Sequence, residues 1–166
     1  MRRPGIAITA LALTVAMLTV ACGSSANIDN TSRDPRSGRI QKRGDVGTQR
    51  LRVGDCFNDP GKATTLVVTG VPCETAHQSQ VVALLDLPDE AGADWPGDKD
   101  LADRSRSACF GAAAEAVGGN LTDPTVGLSA YVPDERSWDA GDRRIVGVVG
   151  RFDNTTFEGS LLGSAT

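Results

Sequence analysis

The sequence contains a single histidine, His77, and four cysteines, Cys22, Cys56, Cys73 and Cys109. No Cys-x₂₋₄-Cys pair is present, so the usual spacing signature of a structural zinc site is missing. No D-x-D-x-D-G loop occurs, which removes the EF-hand form of calcium binding. A phosphate-cradling glycine loop and an internal repeat at a solenoid period are also absent. The one long apolar run, Ile6 to Val20, has 15 residues. At 1.5 Å rise per residue this is short for a bilayer core of roughly 30 Å.

That run follows Met1, Arg2 and Arg3 and leads to Ala21-Cys22-Gly23 before any acidic residue appears. A charged start, an apolar middle and a small-residue cleavage zone make a signal peptide over residues 1–21. Leu18-Thr19-Val20-Ala21-Cys22 resembles the bacterial lipobox, with Thr19 where an aliphatic residue is usual. The resemblance implies that Cys22 is lipidated and becomes the mature N-terminus. Two or three acyl chains on one residue hold firmly where one holds only marginally. The expected location is the extracytoplasmic face of the cell membrane.

Charge is split along the chain. From Cys22 to Arg50 there are 6 basic and 3 acidic residues, and from Leu51 onward 9 basic and 18 acidic, so a segment of net +3 precedes one of −9. An acidic domain is the wrong sign for nucleic acid, whose phosphates require cations. Residues 22–50 are rich in Ser, Gly, Asn, Asp, Thr and Arg, with Ile28, Ile40 and Val46 as the sizeable apolar residues before Arg50. This composition predicts a disordered basic tether. Residues 51–166 are then expected to form one domain able to fold by itself.

Within 51–166, β-like runs alternate with turns. Strands are expected from Leu51 to Phe57, over Thr64–Val71, Gln80–Leu87, Val126–Val132 and Arg144–Phe152, with an edge strand over Gly159–Leu162. A helix is expected from Lys99 to Val117 with Asp98 as N-cap, its sheet-facing stripe being Leu101, Ser105, Ala108, Ala112 and Ala116. A turn or short helical segment covers Pro133–Trp138. The expected fold is α+β, a mainly antiparallel sheet of about five short strands with one helix packed on one face.

Chemistry-bearing residues are few. Cys73 and His77 could form an activated thiol pair, since the thiolate is the nucleophile and a neighbouring imidazolium lowers its pKa. Export favours oxidation, which would consume that thiol, and a structural His77 is the expected reading. With Cys22 carrying lipid, Cys56, Cys73 and Cys109 leave one disulfide and one free thiol, and three pairings are open. The same three cysteines with His77 would make a Cys₃His zinc set, but disulfide use is favoured by the wide spacing. Asp86, Asp89, Glu90 and Asp94 open an acidic stretch that reads as a solvated loop, or as a surface for a basic protein partner. Trp95 and Trp138, beside turns, are expected to close a core edge.

A family resemblance rests on Val53-Gly54-Asp55-Cys56-Phe57, Val71-Pro72-Cys73-Glu74-Thr75-Ala76-His77, Leu87-Pro88 with Trp95-Pro96-Gly97, Cys109, and Trp138 with Gly141-Asp142-Arg143. In this order they resemble the septum formation family of actinobacterial envelope proteins, often lipoproteins or domains on a membrane anchor. The resemblance spans about residues 51–163 and implies location and fold more than role. Family members usually carry a further cysteine after the Gly-Asp-Arg stretch, where this chain has Gly147. The family's two-disulfide pattern is therefore incomplete. Cys56 with Cys73, stapling two neighbouring strands and leaving Cys109 unpaired, is the pairing we favour.

With no nucleophile, metal set or cofactor loop remaining, the expectation is a monomeric, non-enzymatic binding or structural module of the envelope. Its partners would be the membrane, through the lipid, and an envelope protein or cell-wall component. The alternative is a carrier of a small ligand or metal, in a pocket between helix and sheet.

Overall fold

A computed structural model describes residues 28–61, 67–88, 94–118, 124–151, 153 and 155–163. Residues 1–21, where a signal peptide is expected, and Cys22 lie outside these residues. The strands are β1 (Ser32–Arg33), β2 (Ile40–Lys42), β3 (Gly44–Gly47), β4 (Cys56–Asn58), β5 (Val67–Val71), β6 (Ser79–Asp86), β7 (Val126–Tyr131) and β8 (Arg144–Arg151). The helices are α1 (Asp98–Ala116) and α2 (Glu135–Asp139), with a 3₁₀ turn at Thr48–Arg50.

The fold is α+β. β1 and β2 form a two-stranded hairpin, and the other strands make a six-stranded antiparallel sheet in the order β3-β5-β4-β6-β8-β7. Alternation along β8 separates two cores, as the period of two requires. Val146 and Val148 face a cluster with Val46, Leu51, Phe57, Val68 and Val81. Ile145 and Val149 face the opposite side, where α1 packs across β6, β8 and β7.

The strand count exceeds the expected five because residues 28–50 are not a tether. β3 pairs residue by residue with β5, from Gly44 opposite Gly70 to Gly47 opposite Val67. The polar composition misled because three anchors suffice. Val46 is fully buried, Ile40 is buried, and the Arg33 guanidinium forks onto Asp55 at 2.7 and 2.9 Å while its Nε meets Asp29 at 2.9 Å. The hairpin turns at Asp34-Pro35-Arg36-Ser37-Gly38, where the Asp34 carboxylate accepts from the Arg36 and Ser37 amides and Gly38 takes φ +71°. These are local turn signals that a compositional reading overlooks.

Other boundaries shift for identifiable reasons. Leu51 to Asp55 forms a turn around the buried Asp55 carboxylate, which accepts from the Arg52 amide at 2.9 Å, so the first strand of the domain begins at Cys56. α1 is capped by Gly97, at φ +90°, and Asp98 is already helical. Its buried stripe is Leu101, Ser105, Cys109 and Ala113, while Ala108 and Ala112 are exposed. In a helix this rich in alanine, sequence barely separates one face from the next. No strand forms over Gly159–Leu162. There the backbone is held by the Gln80 side chain, whose Oε1 accepts from the Leu161 amide at 2.7 Å, and by the Gly159 amide donating to the Cys73 carbonyl at 2.7 Å.

Candidate functional site

The three cysteines of the domain are divided as the favoured pairing has it. Cys56 on β4 is bonded to Cys73, just after β5, closing 17 positions of chain. These strands are neighbours, with Cys56 opposite Val71. Cys109 is free and buried on α1, and burial pushes its thiol pKa up.

His77 does not approach catalytic geometry. It is fully buried, its Nδ1 lies 2.7 Å from the Thr75 carbonyl, and its ring packs at 4.2 Å on Phe157. With Nδ1 donating to that carbonyl, Nε2 is a bare acceptor and has no hydrogen-bond partner among the described residues. Burial holds the imidazole pKa below its ordinary value. The backbone of His77 bridges to Phe157 in both directions at 2.9 Å. The residue therefore pins the C-terminal segment to the sheet. Among the described residues no group of three or more His, Cys, Asp or Glu side chains is arranged to hold a metal ion.

The acidic candidates separate in space. Asp86, at the end of β6, is tied bidentately to Arg144 at 2.6 and 3.0 Å, and this pairing lowers its carboxyl pKa. Asp89 and Glu90 lie outside the described residues. Asp94 is exposed at the rim of a cleft of ≈ 480 Å³ that Trp95, Glu135, Trp138, Asp139, Gly141 and Arg143 also line. Trp95 meets the buried Trp138 edge to face at 5.8 Å, and the Arg143 guanidinium lies 3.8 Å from the centroid of the Trp138 ring. That guanidinium also donates to the Trp138 and Asp142 carbonyls at 2.7 and 2.9 Å.

The carboxylates of Asp94, Glu135 and Asp139 enter no hydrogen bond or ion pair among the described residues. Asp29, Asp34, Asp55, Asp86, Asp103 and Asp134 are all engaged. The cleft thus sets three carboxylates against one guanidinium, that of Arg143, beside a partly exposed indole, a net negative lining suited to cations. Sequence reasoning reached Asp94 and both tryptophans but missed Glu135 and Asp139. The signal was present, because Asp134 and Ser137 form a capping box that starts α2. Residues 135 and 139 of such a helix, four apart, fall on one face.

A comparison with protein families matches residues 16–146 to the septum formation family. The chain belongs to this family. The match takes in residues 28–50, which the fold incorporates, and ends at Val146, one position before Gly147. Neither a curated protein nor a solved structure matches the chain.

Proposed function

We propose that this septum formation family member is an exported envelope protein, held to the membrane by lipid on Cys22, whose domain acts by binding an envelope partner rather than by catalysis. The observation that carries the binding reading is the cleft at Trp95, where Asp94, Glu135 and Asp139 outnumber the single cation Arg143 in the lining. Its complement is a basic surface on a protein partner, with the aromatic ring adding cation–π attraction. The non-catalytic reading is supported by the Cys56–Cys73 bond, which withdraws the one thiol near His77 in sequence, and by the burial of that histidine. The reading calls for no cofactor and no nucleic acid.

The test is crosslinking in intact cells from a photoreactive residue at position 94, with a matched probe at the exposed Glu115 on α1. The expected result is a discrete adduct with a basic envelope protein from position 94 alone, lost when Glu135 and Asp139 are changed to Lys. Equal yields from both positions, or adducts indifferent to the charge change, would overturn it.

A second reading, a small-ligand or metal carrier, draws on a groove of ≈ 280 Å³ between α1 and β7–β8, lined in part by Cys109, Phe110, Leu128 and Ala130. Native mass spectrometry of protein released from membranes decides it. A reproducible bound mass favours the carrier, and its absence removes that reading.

A further inference from the structure

The two edges of the main sheet are treated differently. The outer edge of β3 is covered by the chain itself, with the Gly47 amide donating to the Ile28 carbonyl at 2.7 Å and the Asn30 amide to Asp45 at 2.8 Å. β7, the other edge, pairs with β8 alone among the described residues. Such an edge is a template for a further strand, and proteins ordinarily blunt it with charge, proline or a bulge. β7 reads Val126-Gly127-Leu128-Ser129-Ala130-Tyr131, with no charge and no proline, and its register with β8 is unbroken over all six residues. Beside it runs the groove under α1, and on that groove sits Phe110, 47% exposed.

We propose that two copies of this chain pair along β7, antiparallel about a two-fold axis, joining their sheets into one. A copy is the occupant these observations favour, because a two-fold contact sets a strand against itself and fails wherever like charges meet. β7 has no charges to meet. Parity narrows the register. Residues directly opposite in an antiparallel pair point to the same face, so keeping both α1 helices on one side of the joined sheet puts a residue on the axis. With Ser129 on the axis, Leu128 faces Ala130 of the other copy on the helix side and the two serine hydroxyls meet on the other. With Leu128 on the axis, it faces its own copy. Both registers oppose apolar groups on the helix side, and both bring the exposed Phe110 of each α1 to the seam.

The proposal is tested on the full-length protein in nonionic detergent. Light scattering of the wild type is expected to give twice the chain mass. Ser129→Lys, at an exposed position, is expected to halve that mass with an unchanged circular dichroism spectrum. Ser129→Cys treated with a short bismaleimide is expected to yield a covalent dimer at least tenfold above Gln41→Cys on β2, since residues 129 lie opposite or diagonal, within roughly 8 Å. A wild type of monomer mass at every concentration overturns the proposal. So does a dimer indifferent to Ser129→Lys, or a crosslinked product containing a different protein. Should either variant fail to fold, the wild-type mass still decides.

Discussion

Cys109 on α1 and Gly147 on β8 face each other across the helix–sheet contact, and a Cβ on residue 147 would stand 3.1 Å from both the Cβ and the Sγ of Cys109. This is the place where the family resemblance led us to expect a further cysteine. The missing partner is therefore missing at one point in space, and Cys109 is the thiol it would have taken.

Gly147→Cys is expected to bond to Cys109. Disulfide Cβ atoms stand roughly 3.5–4.5 Å apart, so α1 has to withdraw by a few tenths of an ångström or more. Closing nearly forty residues would then stabilise by about 4 kcal/mol less that strain. Gly147→Ala meets the same crowding, with the Ala83 Cβ at 3.3 Å as well, and gains no bond, so a loss of about 1–3 kcal/mol is expected. Urea unfolding compares the two, and intact mass after alkylation counts thiols. Two free thiols in oxidised G147C would refute the pairing.

In the wild type, alkylation is expected to modify one cysteine of the domain, slowly when folded and quickly in denaturant, because Cys109 is buried and its thiol pKa is raised. Reduction of Cys56–Cys73 releases a short loop and is expected to cost roughly 3 kcal/mol. Three alkylated domain cysteines in unreduced protein would contradict both statements.

Residues 28–50 are expected to be required for folding. Arg33→Ala leaves the Asp55 carboxylate, 3% exposed, without its bidentate partner. Removing one member of such a buried pair costs roughly 3–5 kcal/mol, so a fragment beginning at Leu51 should show a lower melting temperature or no cooperative transition. A fragment as stable as the longer chain would sink this account.

His77 makes stability depend on pH in the acid range. Its folded pKa lies below the ordinary value of 6.5, so the folded state prefers the neutral ring and binds fewer protons than the unfolded chain. The stabilisation is present above pH 6.5 and is lost as pH falls toward the folded pKa. His77→Gln is expected to flatten the stability profile in that window. An unchanged pH slope in the variant would reject the assignment.

How far the chain could be read from its order of residues depended on the kind of signal. β-branched runs with turn residues between them marked β5, β6, β7 and β8 to within a few residues, because strand period and turn chemistry are local. The family membership was likewise readable, since it rests on short motifs in order. The face of α1 was not, because small side chains at 105, 108, 109, 112 and 113 leave the choice to packing. Nor was the cleft, since Asp94, Glu135 and Asp139 come together only when α2 folds back beside Trp95.

Local sequence, then, settled which segments extend, which coil, and that an odd thiol would remain in the domain. Only the tertiary structure decided that the odd thiol faces Gly147 and that residues 28–50 belong to the sheet. Both depend on contacts between residues distant in the chain, the Arg33 fork onto Asp55 and the approach of α1 to β8. No window of composition carries such contacts, because their energy lies in burial and geometry that exist only once the sheet is assembled.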